Sequence, residues 1–274
     1  MMKRSLVAVA SAALLCLPLA ACGGSDDTAS DSGSGSGASS GASSSLDLVK
    51  SGTLTVCSDV PYAPFEDFDK SSATGFKGFD VDIVSQIAKG LGLKLVISDQ
   101  DFDGLQSGLT LNAGTCDLVA SALTITDDRK KNLEFSEGYY DSEQSLLVPD
   151  GSSITSIDDL DGKKVGVQQG TTGKDYATEH ASGASIVSFP SDAEEFSALK
   201  AGQVDALLQD LPVNLTHQQA GGYQIVQKFD TNEEYGLAAK KGNTALIDAV
   251  DEQLDAMKSD GTYKKLYNTY FKVS

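Results

Sequence analysis

Histidine, cysteine and positive charge are all scarce in this chain of 274 residues. The two histidines, His180 and His217, stand in no metal-ligand spacing, so metal catalysis has no support in the sequence and neither a metal nor another cofactor is expected. Lysine and arginine number 21 against 39 aspartates and glutamates, a formal charge of −18. That balance argues against nucleic acid and against an anionic membrane surface as direct ligands. Long apolar runs are lacking too. Residues 6–19 form one, which is too short to span a bilayer comfortably, and nothing later is long or apolar enough to cross a membrane.

The N-terminus reads as a processing signal. Lys3 and Arg4 precede the apolar run, and Leu19-Ala20-Ala21-Cys22 follows it. That string resembles a bacterial lipobox, in which the chain is cut before the cysteine and the cysteine sulfur carries a diacylglyceryl group. Residues 1–21 are therefore expected to be a signal peptide and Cys22 a lipidation site, with two acyl chains giving stable anchoring. Residues 22–45 are expected to be a tether: beyond Cys22 they are almost all Gly, Ser, Ala, Asp and Thr, and such a stretch cannot bury apolar surface. Gly37-Ala38-Ser39-Ser40-Gly41 matches the hydrolase elbow pattern, but no strand precedes it and no helix follows. These features imply an extracytoplasmic protein held to the cell membrane only through its lipid.

In that compartment Cys16 is lost with the signal and Cys22 is spent on the lipid, which leaves Cys57 and Cys116. Two leftover cysteines in an oxidising environment suggest a disulfide; the other reading is two small buried hydrophobes. The bond requires Cα atoms closer than about 7 Å, although one cysteine ends its strand and the other precedes its own.

From residue 46 onward strands and helices alternate. Strands are expected at 54–57, 93–97 and 117–122, a helix capped by Asp80 carries Val84, Ile87, Ala88 and Leu91 on one face, and residues 102–111 read as helical. The plan then restarts. Strands at 164–168, 186–189 and 205–209 alternate with helices at 172–180 and from Ser191 to Lys200. Extended stretches at 144–148 and 235–239 lie between the halves, and helices at 244–257 and 262–271 close the chain. A chain that leaves one lobe, builds a second and returns makes two crossings, so the expected architecture is α/β with two lobes, each a mostly parallel sheet flanked by helices, joined by two hinge strands. The divisions are 46–142 and 235–274 for lobe one and 143–234 for lobe two. The cleft between them is the natural ligand site.

Residues 116–129 carry the most chemistry. A buried strand over 118–122 runs toward a helix start at Thr126, bringing free backbone N–H groups, the Thr124 hydroxyl and the Arg129 guanidinium to one spot. A guanidinium fork matches a carboxylate bidentately, and the carboxyl ends of parallel strands are where open α/β sheets bind ligands. The plainer reading of the Thr-x-Thr-x-x-Arg string is a helix cap with a solvated arginine. Gly170 to Lys174 partly matches a phosphate loop, but Asp175 stands where Ser or Thr would be needed.

The order and spacing of several short motifs resemble the extracellular solute-binding proteins of polar amino acid ABC importers, which have the periplasmic-binding-protein-like fold of type II. They are Ser58-Asp59-Val60-Pro61-Tyr62-Ala63-Pro64-Phe65-Glu66, Gly78-Phe79-Asp80-Val81-Asp82, Asp101-Phe102-Asp103-Gly104, the stretch from Ala120 to Arg129, Phe135-Ser136-Glu137-Gly138-Tyr139-Tyr140, Gln168 to Gly173, and Val204 to Asp210. The resemblance implies a receptor with no chemistry of its own. It would be a monomer that closes on an L-amino acid and delivers it to an ABC permease. Arg129 would clamp the ligand α-carboxylate, helped by Thr124, by the Ser121–Ala122 backbone and by Thr172 at a helix N-terminus, where free N–H groups and the dipole favour an anion. Asp210 would accept the α-ammonium, Tyr62 and Phe102 would wall the side chain, and Asp59 would read its far end. Gln168 and Gln209 face the same region with roles unassigned. For several residues a structural reading stands beside the functional one: Asp210 as a helix cap, Asp59 as a turn former, Phe102 as plain core, and Asp80 and Asp82 as caps. The sequence departs from some basic amino acid binders at Gly173, where they have Gln, and at Ala122, where they have Ser. Asp59 and the Gln209-Asp210 pair favour a cationic or amide amino acid. Two other functions fit the same outline: a dehydratase of aromatic amino acid synthesis, with Asp59 or Asp210 as its general acid, and a sensory amino acid-binding protein.

Overall fold

The computed structural model describes residues 46–271; the expected signal peptide, Cys22 and the tether lie outside the described residues. The chain enters β1 (Thr53–Ser58), passes through a small hairpin of β2 (Asp67–Phe68) and β3 (Phe76–Lys77), and forms α1 (Phe79–Gly90) before β4 (Lys94–Asp99). Two short helices, α2 (Phe102–Gln106) and α3 (Leu109–Asn112), lead to β5 (Leu118–Val119). The long strand β6 (Leu133–Pro149) crosses into the second half, which comprises β7 (Lys164–Gln168), α4 (Thr172–His180), β8 (Ser185–Phe189), α5 (Asp192–Lys200), β9 (Ala206–Asp210) and α6 (Leu211–Gln219). The equally long β10 (Tyr223–Lys240) crosses back, and α7 (Thr244–Asp260) and α8 (Thr262–Tyr270) pack onto the first half.

The strand order is β4-β1-β5-β10-β6-β9-β7-β8. In each lobe a central strand has two parallel neighbours: β1 pairs β4 and β5, and β7 pairs β8 and β9. One hinge strand then adds antiparallel to each triplet, β10 to β5 and β6 to β9. Burial on both faces follows from the pleat, since successive side chains point to opposite sides. Val56 and Leu118 enter the core beneath α1 and α7, whereas Cys57 and Val119 enter a smaller core that includes Phe102, Leu105 and Leu111. In the other lobe Leu146, Ala206 and Leu208 face one side while Leu147 and Leu207 face the other. Cys57 and Cys116 are joined on the small core of the first lobe, their Cα atoms 5.9 Å apart.

Several local expectations are corrected. The cap of α1 is Gly78, not Asp80; its φ is 134°, and a Cβ there would lie 2.0 Å from the Phe65 carbonyl oxygen. The helix expected over 102–111 is broken at Gly108, whose left-handed φ of 79° ends one helical turn and starts another. The strand expected over 117–122 is shorter, Leu118–Val119, and Ala122 beyond it turns the chain with a φ of 43°. The helix start at Thr126 is a single 3₁₀ turn over Arg129–Lys131, with the Thr126 hydroxyl accepting the Arg129 N–H at 3.1 Å. The periodicity gave no notice of α6, which begins straight after Asp210 with Pro212 in its first turn.

Candidate functional site

All ten residues expected to bind ligand line a single cavity, joined by Thr171. Asp59 and Tyr62 follow β1, Phe102 opens α2, and Ser121, Ala122, Thr124 and Arg129 follow β5. Gln168 ends β7, Thr171 and Thr172 start α4, and Asp210 ends β9. Each therefore sits at or beyond the carboxyl end of a parallel strand, where loop backbone and side chains from both lobes can converge. The lobes are shut against one another. Gln168 donates to Asp59, Tyr62 donates to Asp210, and Arg129 donates to the Gly170 carbonyl.

The cation of the cavity is Arg129. Its Nη1 donates to the Thr124 carbonyl at 2.8 Å and its Nη2 to the Gly170 carbonyl at 3.0 Å, and its guanidinium carbon lies 5.4 Å from the centre of the Phe102 ring. Phe102 thus belongs to the small core of the first lobe and also borders the cavity beside the cation. Two of five guanidinium N–H groups are used by these carbonyls, which leaves three for an anion. Arg129 is buried, not at an exposed cleft surface, and burial lowers its pKa against the opposing pull of Asp210 and Glu233. Beside it the Thr171 hydroxyl accepts the Lys174 N–H, capping α4 with its N-terminus aimed at the same space.

Two carboxyls also line the cavity. Asp210 occupies the residue before α6 but makes no capping bond; its oxygens accept from the Tyr62 hydroxyl at 2.7 Å and from Gln144 Nε2 at 2.5 Å. Burial first, then the charge of Glu233, raises its pKa to about 6. Asp59 accepts from Gln168 Nε2 at 2.5 Å, and burial raises it to about 7. A cation near either carboxyl would reverse this desolvation cost.

Behind the cavity lies a buried support built on Asp80 and Glu66. Asp80 accepts the Ala122 N–H at 2.9 Å and the Tyr139 hydroxyl at 2.7 Å, so it braces the turn at Ala122 instead of capping α1. The Ala122 N–H is thereby committed to Asp80 and is not a donor to a ligand. Glu66 accepts from the Ser121 hydroxyl at 2.7 Å, and that hydroxyl oxygen accepts the Asp59 N–H at 3.0 Å. Both acids are fully buried; desolvation lifts Asp80 to about 6 and Glu66 well above the carboxylate range.

Two hinge residues at the site went unread in the sequence. Gln144 on β6 donates to both Asp210 and Glu233. It also fills the space that a side chain at position 173 would need: a Cβ on Gly173 would lie 2.8 Å from Gln144 Oε1 and 3.0 Å from the Leu208 carbonyl oxygen. Glu233 on β10 accepts the hydroxyl protons of Thr124 and Thr172. Both sit in long strands inside runs of consecutive polar residues, 141–145 and 230–234, where nothing distinguishes one from its neighbours. Gln209, by contrast, turns to Asp192 and Asn214 and is absent from the cavity lining.

The arrangement offers one buried cation, two acceptor carboxyls and aromatic walls inside a closed cleft, with no metal cluster among the described residues. The family model for bacterial extracellular solute-binding proteins, family 3, matches residues 54–273. The chain belongs to this family. The chain of this solute-binding protein is 38% identical over 207 residues to the ABC transporter glutamine-binding protein GlnH of Bacillus subtilis (strain 168), covering 74% of the chain and 76% of the relative. It is 33% identical over 231 residues to the lysine/arginine/ornithine-binding periplasmic protein of Escherichia coli (strain K12), covering 80% and 87%. A solved ancestral arginine-binding protein bound to glutamine superposes with a TM-score of 0.76 at 38% identity, covering 81% of this chain and 99% of that one. The two-lobed periplasmic-binding-protein fold is shared with it.

Proposed function

We propose that this solute-binding protein is a lipid-anchored extracytoplasmic receptor that captures a cationic or amide L-amino acid between lobes 46–142/235–274 and 143–234 and delivers it, as a monomer, to an ABC permease. The observation that carries this reading is the set of charges that line the cavity. Arg129 lines it together with the carboxyls of Asp210 and Asp59, and Asp210 is the charge that pulls most strongly against the desolvation of Arg129. An α-carboxylate satisfies Arg129, an α-ammonium satisfies Asp210, and a side chain bearing N–H donors satisfies Asp59. A buried charge must be met in this way, since a closed cleft removes its water. Relatives named for glutamine and for lysine, arginine and ornithine support the same ligand class. The anchor rests on the Leu19-Ala20-Ala21-Cys22 string.

A dehydratase needs a proton donor aimed at a leaving group. Here Asp59 and Asp210 are engaged as acceptors by Gln168, Tyr62 and Gln144, which favours ligand holding over acid catalysis. A thermal-shift screen with the twenty amino acids tests the proposal. A ligand at a hundred times its Kd stabilises by about 2.7 kcal/mol, so arginine, lysine, histidine or glutamine should raise the melting temperature and aliphatic or acidic amino acids should not. A shift confined to apolar or acidic ligands would overturn the side-chain assignment. For the anchor, Cys22→Ala should release the protein from the membrane fraction or leave it unprocessed.

A further inference from the structure

The hinge strand β10 carries a carboxylate that reaches both lobes at once. Glu233 Oε2 accepts the hydroxyl proton of Thr124, at 2.8 Å, and that of Thr172, at 2.6 Å. Its other oxygen accepts from Gln144 Nε2 at 3.0 Å and from the Thr231 hydroxyl at 2.8 Å. Thr124 follows β5 in the first lobe, Thr172 begins α4 in the second, and Gln144 lies on the companion hinge strand β6. The backbone is shaped for this reach. The β6–β10 register slips between Phe229 and Glu233, and Asn232 has a φ of 50°.

We infer that Glu233 is a positioning residue that clasps Thr124 and Thr172 together when the lobes close and fixes the direction of their hydroxyl protons. Two consequences follow from elementary hydrogen-bond chemistry. A hydroxyl has one proton. With both protons committed to Glu233, Thr124 and Thr172 turn lone pairs, not donors, toward the rest of the site. The ligand carboxylate is then left to Arg129 and backbone N–H groups, and the threonines serve closure. Second, the clasp exists only in the shut form. Opening separates a lobe-one hydroxyl from a lobe-two hydroxyl, and one carboxylate oxygen cannot follow both. Each such bond to a charged acceptor is stronger than a neutral one, so Glu233 slows ligand release without touching the ligand. This deepens the amino acid receptor reading and rests on it for the ligand, but the closure clasp itself does not depend on which ligand is bound.

The test uses the full mature chain with Glu233→Ala and the isosteric Glu233→Gln. Hydrogen exchange of the ligand-free proteins, followed by mass spectrometry, reports closure over residues 122–130 and 168–175. Release of radiolabelled L-arginine and L-glutamine reports the clasp in the bound state. Glu233→Ala is expected to exchange faster in both segments and to release ligand at least about tenfold faster, the equivalent of one hydrogen bond to a charged group, with little change in association. Glu233→Gln keeps one acceptor oxygen and should fall between. The preference for an amino acid over its decarboxylated amine should be preserved in both, because carboxylate recognition stays with Arg129. Unchanged exchange and release rates within twofold would overturn the clasp, and a lost carboxylate preference would overturn the hydroxyl assignment. If the wild type binds neither amino acid, the ligand reading fails, while the exchange comparison still decides the clasp.

Discussion

Replacing Asp59 by Asn should change both the ligand preference and its pH dependence. In the shut cleft, burial lifts Asp59 from an ordinary 3.8 to about 7. An acid whose pKa is raised by closure binds its proton more tightly in the closed form. Closing on a ligand with a neutral side chain therefore takes up a proton between about pH 4 and 7 and becomes less favourable as pH rises through that window. Above it, keeping Asp59 ionised costs roughly 4 kcal/mol. A guanidinium or ammonium beside Asp59 offsets that cost and an amide offsets much less of it. The ratio of arginine to glutamine affinity should accordingly rise from pH 4 to pH 7 and level off above. Asn removes both the cost and the partner. Arginine should lose about 2–5 kcal/mol, roughly thirty- to several-thousand-fold, glutamine should lose nothing at pH 4 and gain at pH 7 and above, and the pH slope of the ratio should vanish. Calorimetric titrations of both proteins with both ligands at four pH values measure all of this. A pH-independent ratio in the wild type, or undiminished arginine affinity in Asp59→Asn, would rule out Asp59 as the partner of the ligand side chain.

Other outcomes follow from the same contacts. Asp80→Ala leaves the Ala122 N–H and the Tyr139 hydroxyl without their acceptor; a denaturant melt should show a loss of about 1–3 kcal/mol for each, whereas Asp80→Asn should keep much of the stability. Gly173→Gln puts a Cβ within 3.0 Å of the Leu208 carbonyl oxygen and against Gln144; both melting temperature and ligand affinity should fall, by about 1–3 kcal/mol in stability. Cys57 and Cys116 should show no free thiol in denatured, unreduced mature protein, and reduction should cost about 2–4 kcal/mol; two titratable thiols would rule the bond out.

The polar residues of the cavity were legible because they end strands. A short buried run followed by Asp, Thr or Arg marks where a parallel strand stops and its loop begins, and the motif order then places Asp59, Thr124, Arg129, Gln168 and Asp210 on one rim. Roles were harder to read than positions. Asp80 looks like a cap because an acid in a first turn suits the dipole, and only the tertiary approach of Ala122 and Tyr139 shows its use. Gln144 and Glu233 are ordinary polar residues inside long strands; their significance arises from a register slip and a left-handed Asn232, neither of which leaves a periodic signature. The break of the 102–111 helix depended on Gly108 adopting positive φ, which glycine permits but does not demand.

The role proposed for Arg129, recognition of the α-carboxylate of an amino acid shut between the lobes, is tested by titrating the wild type with arginine, lysine, histidine and glutamine, and then with the decarboxylated amine of whichever binds. The amine keeps the side chain and the ammonium but leaves a buried guanidinium without its anion, so its affinity should be lower by about 2–5 kcal/mol. In Arg129→Ala the amino acid and its amine should bind equally weakly. An amine that binds the wild type as tightly as the amino acid would contradict the account.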